Sequence, residues 1–118
     1  MSDTAHRFFA AWGMDDASDR NAAITAALSP DATYADPRQD SPLTGPDAIA
    51  DYVAMFGQAA PGAVAEVTNA EARDGVTRAT VAFRMPNGME QLGQYFIEHD
   101  SDGRISRMVG FKGTGTSQ

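Results

Sequence analysis

The chain has 118 residues, of which 42% are hydrophobic, and it contains no cysteine. This size and composition predict a single folded domain over residues 1–118 and exclude disulfides, thiolate sites and a disordered chain. The formal net charge of −7 disfavours nucleic acid as a partner, because phosphate binding needs clustered Lys and Arg. No apolar run approaches the ~18 residues of a membrane span, and no signal peptide pattern is present, so we expect a cytoplasmic protein.

Three helices are predicted in the first half of the chain, from apolar residues that recur at helical spacing. Their buried positions, in chain order, are Ala5, Phe8, Phe9 and Trp12; Ile24, Ala27 and Leu28; and Ile49, Tyr52, Val53 and Phe56. Ser2 or Asp3 caps the first helix, and Ser29-Pro30 ends the second. A short strand over 32–35 precedes the third helix, which begins at Pro46, a position that favours proline.

Four long strands are predicted in the second half, over residues 64–73, 76–85, 90–99 and 105–112. Asp74-Gly75 between the first two is a strong hairpin signal. Helices followed by a meander of antiparallel strands indicate the α+β class. We therefore expect a curved, cone-shaped antiparallel sheet of four long strands and one short strand, wrapped over the three helices. The residues from about 113 are predicted to form a flexible tail.

Asp36 is the principal candidate for chemistry, because it ends the short strand directly before Pro37. A carboxylate beside apolar walls is a common acid or base, although a strand-end Asp also bonds to the backbone of the following loop. Tyr34 lies on the same face of the strand and either orients a ligand or belongs to the core. Depending on the register of strand 90–99, Tyr95 or Gln94 faces inward and can stabilise an enolate oxygen.

The remaining ligand-binding candidates are apolar side chains that can line the cone. They are Phe8, Phe9, Trp12, Tyr52, Met55, Phe56, Phe83, Met85, Met108 and Phe111. We expect most of them to be core residues and a minority to touch a hydrophobic small molecule. The sequence contains no metal-ligand spacing, no Gly-rich phosphate loop and no nucleophile elbow, so no metal site and no cofactor is predicted.

Three segments of the chain resemble the nuclear transport factor 2-like superfamily, and within it the ketosteroid isomerases and SnoaL-like polyketide cyclases. They are the segment from His6 to Trp12, the strand-to-helix passage made of residues 32–37 and 42–49, and the turn from Asp102 to Ile105. The resemblance implies that Asp36 takes the place of the aspartate with which ketosteroid isomerases move a proton between carbons.

The resemblance also implies an oxyanion hole, which ketosteroid isomerases build from a tyrosine on the first helix and a protonated aspartate on the third long strand. This chain has Phe8 at the helix position and Tyr95, or Gln94, at the strand position. The oxyanion hole is therefore missing in the form that those enzymes use.

Three functions remain open at this point. The first is an isomerase or cyclase that uses Asp36 as the base on a hydrophobic carbonyl compound and needs no cofactor. Another is a non-catalytic ligand-binding or assembly module, a homodimer formed through the outer sheet face at Thr80, Ala82 and Arg84. The last is epoxide-hydrolase-like activation of water, which needs two inward acids near an inward arginine, whereas Arg84 is predicted to face outward.

Overall fold

The computed structural model describes the backbone of residues 2–113 and the side chains of residues 4–113. The predicted cap at Ser2 or Asp3 depends on side chains outside this range. The predicted flexible tail likewise falls outside the described residues, apart from Gly113.

Three helices and six strands make up the described part of the chain. The helices are α1 (Ser2–Ala11), α2 (Ala17–Ala27) and α3 (Pro46–Ala59). The strands are β1 (Leu28–Ala35), β2 (Leu43–Thr44), β3 (Val64–Arg73), β4 (Val76–Arg84), β5 (Glu90–His99) and β6 (Ile105–Lys112). None of the described helices is long and apolar enough to cross a membrane.

The strands form one curved sheet in the order β2-β1-β6-β5-β4-β3. Neighbouring strands are antiparallel except β1 and β6, which run parallel. The helices cover one face of the sheet, where α1 packs against β3 and α3 packs against β1. The predicted α+β class and the curved sheet over three helices are confirmed, and the sheet contains one more short strand than expected.

The first strand departs from the prediction. It begins at Leu28 rather than at residue 32, so Leu28 belongs to the sheet and not to α2. Its pairing with β6 is irregular between Leu28 and Thr33, and Pro30, which lacks an amide proton, lies in that irregular stretch. The strand therefore tolerates a proline that was expected only to end a helix.

The passage from β1 to α3 positions the site. The two-residue strand β2, which the sequence did not reveal, pairs Leu43 with Tyr34 and Thr44 with Thr33. Gly45 follows with a φ of 92°, a conformation that favours glycine, and Pro46 begins α3 as predicted. The pairing of β2 with β1 holds the loop after Asp36 against the sheet, and α3 then runs back across the end of β1.

Aromatic side chains fill the space between sheet and helices. Their ring centroids lie 4.8–6.4 Å apart in a continuous cluster. The members are Phe8, Phe9, Trp12, Tyr34, Tyr52, Phe56, Phe83 and Tyr95. The interior between sheet and helices is therefore largely filled by aromatic rings.

Candidate functional site

The Asp36 side chain points into the protein at the end of β1, and only 1% of it is exposed. Its Oδ1 accepts a 2.8 Å hydrogen bond from the backbone N–H of Arg38, and its own N–H donates to Gln39 Oε1 at 3.2 Å. These contacts make the Asx-type turn expected for an Asp before a loop. The carboxylate is thus inward-facing and held by the local backbone at the same time.

Two tyrosines from different elements bind the other carboxylate oxygen. Tyr34 on β1 donates to Asp36 Oδ2 at 2.9 Å, and Tyr52 on α3 donates to the same atom at 2.7 Å. The Tyr34 hydroxyl also lies 2.8 Å from the hydroxyl of Tyr95 on β5. All three tyrosines of the chain therefore belong to one hydrogen-bonded group around Asp36, which we call the tyrosine network.

The direction of each hydrogen bond in the tyrosine network follows from counting protons. A tyrosine hydroxyl has one proton to donate. Since Tyr34 donates its proton to Asp36, the proton between Tyr34 and Tyr95 must come from Tyr95. Tyr52 donates to Asp36 and accepts from Arg38 Nη1 at 3.1 Å. Every hydroxyl proton of the network is thus directed toward the carboxylate.

Burial keeps the tyrosines protonated. It raises the pKa of Tyr34 well above its usual value, and the neighbouring Tyr95 and Asp36 raise it further. Burial likewise raises the pKa of Tyr95. Burial and the hydrogen bond to Asp36 raise the pKa of Tyr52 to about 12. All three side chains are therefore neutral hydrogen-bond donors at neutral pH.

A small pocket opens beside Asp36. Its volume is ≈60 Å³, enough for roughly four water molecules and far below the ~300 Å³ at which drug-sized ligand sites begin. The residues that line it are Asp36, Pro37, Arg38, Phe83, Gln91, Leu92, Gly93, Tyr95, Phe111 and Lys112. A small molecule, or one end of a larger molecule, fits this space.

The register of β5 decides which of the two candidate donors faces the site. Tyr95 is buried on the inner face with Gly93 and Ile97, whereas Gln94 lies on the outer face with Phe96. The structure therefore brings Tyr95 to the pocket and to Tyr34, and it places Gln94 away from both.

Most of the predicted wall residues do not line the pocket. Phe83 and Phe111 border it beside Asp36 and Tyr95. The others that pack in or against the core are Phe8, Phe9, Trp12, Tyr34, Tyr52, Phe56, Met85 and Met108. Met55 lies on the exposed side of α3, with 65% of its surface accessible. The aromatic members of this set pack against one another instead of lining the pocket beside Asp36.

Sequence reasoning missed several residues of the pocket, above all Arg38, Gln91 and Lys112. Arg38 follows Asp36 by two positions, and this proximity was the one available signal. Gln91 and Lys112 reach the site through strand pairing, in which Gly93 stands opposite Lys112. Such pairing has no local signature in the sequence.

The charged groups of the site are few. Among the described residues, Asp36 is the only buried acidic side chain. Arg84 faces outward and forms ion pairs with Glu66 and Glu90. Within residues 4–113, no group of three or more metal-binding side chains comes together.

Solved structures with the same fold are known. A SnoaL-like family protein from Agrobacterium tumefaciens, named as a candidate isomerase, superposes with a TM-score of 0.85 at 23% identity, covering 96% of this chain and 97% of that one. A protein with a ketosteroid isomerase-like fold from Catenulispora acidiphila, solved in complex with trimethylamine, has a TM-score of 0.76 at 15% identity, covering 91% and 82%. A candidate ketosteroid isomerase from Kribbella flavida has a TM-score of 0.72 at 20% identity, covering 98% and 79%.

Identities this low establish a shared fold and leave the reaction open. Among curated proteins, no sequence matches this chain. The profile of the SnoaL-like domain matches residues 5–108, nearly the whole folded region. The chain therefore belongs to the SnoaL-like domain family, and its fold is the one seen in nuclear transport factor 2-like proteins.

Proposed function

We propose that this protein is an enzyme that moves a proton at a carbon next to the carbonyl group of a small molecule, with Asp36 as the general base. One observation carries the proposal: Asp36 and Tyr95 border the same pocket and are joined through the Tyr34 hydroxyl. A base and a hydroxyl donor on one small cavity are the two groups that enolate chemistry requires.

The hydrogen bonds of Asp36 indicate which oxygen takes the proton. Oδ2 already accepts from Tyr34 and Tyr52, whereas Oδ1 accepts only from the Arg38 amide. A carboxylate oxygen has two acceptor sites, so Oδ1 has one left for the substrate. The proton leaves the substrate carbon for Oδ1, and the electron pair of the broken C–H bond moves onto the carbonyl oxygen.

Tyr95 then donates a hydrogen bond to the enolate oxygen. In the resting network its proton is directed to Tyr34, so the hydroxyl must rotate toward the pocket as negative charge moves from Asp36 to the substrate. One well-placed donor of this kind contributes about 3 kcal/mol to a transition state. Asp36 returns the proton to another carbon in an isomerisation. In a ring closure, the enolate carbon attacks a second carbonyl of the same molecule, and the alkoxide that forms takes the proton back from Asp36.

The pocket restricts the substrate. Its ≈60 Å³ holds the reacting carbonyl end, and any hydrophobic remainder of the substrate lies outside the pocket. Epoxide opening by activated water is less well supported, because it needs a second inward acid, and Asp36 is the one acid among the residues that line the pocket.

The experiment for the main proposal uses deuterium exchange. The protein is incubated in heavy water with a panel of small ketones and oxo acids, and proton NMR follows loss of the signal next to each carbonyl. Exchange faster than in buffer for at least one compound supports the proposal. A panel that exchanges no faster than in buffer contradicts it.

A second candidate function is a dimeric assembly module. Phe96 and Phe111 are 43% and 54% exposed on the outer face of the sheet, with their rings in edge contact at 5.7 Å. An exposed aromatic pair favours cover by another protein surface. We propose a homodimer in which the outer sheet faces of two copies meet; this is compatible with an active pocket.

A further inference from the structure

Two cationic residues are among those that line the pocket. Arg38 comes from the loop after β1, and Lys112, the single lysine of the chain, ends β6. Both line the pocket, and Asp36 is the only acid among the lining residues. This local excess of positive charge stands out in a chain whose net charge is −7.

Arg38 is held in position before any ligand arrives. Its Nη1 donates to Tyr52 at 3.1 Å and lies 3.6 Å from Asp36 Oδ2, and its guanidinium lies 5.9 Å from the centre of the Phe56 ring. In the described part of the chain, the Arg38 Nε and Nη2 atoms make no hydrogen bond. A fixed guanidinium with an unused edge is suited to bind a carboxylate through two parallel bonds.

Lys112 is the second cationic residue of the lining. No acidic side chain among the described residues forms an ion pair with it. Its strand partner is Gly93, which has no side chain to cover the pocket at this point. An ammonium group on a flexible stem can therefore reach an anion at the mouth.

We infer that the substrate carries a carboxylate near its reacting carbonyl, bound between Arg38 and Lys112. This inference rests on the proposed proton transfer, because it takes Asp36 and Tyr95 as the groups that meet the carbonyl. An anion next to Asp36 would be repelled unless cations lie close to both, and Arg38 already touches Asp36. The pocket volume of ≈60 Å³ limits the part of the substrate that enters it to a short oxo carboxylate end.

Pyruvate and its amide, pyruvamide, are matched probes, since they differ by one charge and little in size. Their binding is measured from amide shifts in nitrogen–proton NMR spectra of the intact protein. We expect pyruvate to bind at least ~10-fold more tightly, a difference that shrinks as salt screens the charges. The shifts should cluster at Asp36, Arg38, Gly93 and Lys112.

Two variants distinguish a specific role of Lys112 from an effect of the protein's overall charge. Lys112→Gln should weaken pyruvate binding by roughly 3- to 10-fold and leave pyruvamide binding unchanged. Arg84→Gln removes an equal charge from the outer face, where Arg84 pairs with Glu66 and Glu90, and should change neither. Equal binding of both probes, no effect of Lys112→Gln, or no binding of pyruvate at millimolar concentration would overturn the inference.

The same samples distinguish this inference from the proposed reaction. If pyruvamide exchanges deuterium at least as fast as pyruvate and the protein shows no binding preference for the anion, the carboxylate inference is wrong and the proposed proton transfer is supported. Selective pyruvate binding at the pocket without exchange of any panel compound supports the anion site and removes the proton transfer.

Discussion

Tyr34 and Asp36 stand two residues apart on the chain, and the Tyr34 hydroxyl donates a 2.9 Å hydrogen bond to Asp36 Oδ2. Alternate residues of an extended segment face the same side, so the ring of Tyr34 runs beside the carboxylate and reaches it from within the core. The acid at the end of β1 is therefore anchored from the buried side.

Tyr34→Phe should lower the free energy of unfolding by about 1–3 kcal/mol, because the buried Tyr95 hydroxyl loses its acceptor and Asp36 loses a donor. Tyr52→Phe is the matched control. Tyr52 is partly exposed, so water can replace its bond to Asp36 and the loss should be smaller. Urea denaturation followed by circular dichroism measures both values; a larger loss for Tyr52→Phe would contradict this account of the network.

Gly110→Ala should displace the Tyr95 ring. A Cβ at Gly110 would lie 2.6 Å from Tyr95 Cε2 and 2.8 Å from Cζ, which forces the ring or β6 to move and costs about 1–3 kcal/mol. Gly57→Ala is the control, since a Cβ there meets nothing within 4 Å and alanine favours a helix by ~0.5–1 kcal/mol. We therefore expect opposite changes in thermal stability, and equal stability of the two variants would show that Tyr95 is not tightly packed.

Alkaline pH should weaken the fold through the tyrosine network. The pKa of Tyr52 rises from its ordinary value of 10.0 to about 12 in the folded protein, and the pKa values of Tyr34 and Tyr95 rise as well. Above pH ~10 the unfolded chain loses tyrosine protons that the folded chain retains, so the network's stabilising contribution, complete below that pH, falls as pH increases.

The ultraviolet absorbance of tyrosinate measures this directly, because the chain has no tyrosine outside the network. At about pH 10.5 free tyrosine is mostly ionised, whereas the folded protein should show almost no tyrosinate signal. A fraction of tyrosine that titrates at its ordinary pKa in folded protein would mean that at least one hydroxyl is outside the network.

Phe96→Gln should convert the proposed homodimer into a monomer, because it removes half of the exposed aromatic pair on the outer sheet face. Met55→Gln is the control, since Met55 is also open to solvent but lies on α3, on the other side of the sheet. Light scattering after size exclusion gives the masses. A wild-type protein that remains monomeric at high micromolar concentration would remove the dimer proposal.

The features that were predictable from the sequence have local physical causes. Asp74-Gly75 makes a tight turn whose neighbours alternate, so the hairpin of β3 and β4 was placed within one residue. The start of β1 was not predictable from the sequence, because Pro30 indicates the end of a helix. The place of Pro30 in an irregular pairing with β6 is a tertiary effect. The strand β2 has two residues and so shows no periodicity.

The candidate site was likewise predictable only where the local spacing of residues determines it. The position of Asp36 at a strand end and the shared face of Tyr34 follow from spacing alone. The choice between Gln94 and Tyr95 depends on a shift of one residue, which pairing with β4 and β6 decides. The contact of Tyr52 and Arg38 with Asp36 depends on how α3 packs across the end of β1, and no sequence pattern reports this.

The central claim is that Asp36 acts as a base, and the deuterium exchange of wild-type protein against Asp36→Asn tests it most directly. Asp40→Asn, which removes an exposed acid of the same loop, controls for charge. We predict that Asp36→Asn lowers the exchange rate by at least ~100-fold, as expected for loss of a general base, while Asp40→Asn retains the wild-type rate. Exchange by a folded Asp36→Asn protein at the wild-type rate would contradict the account.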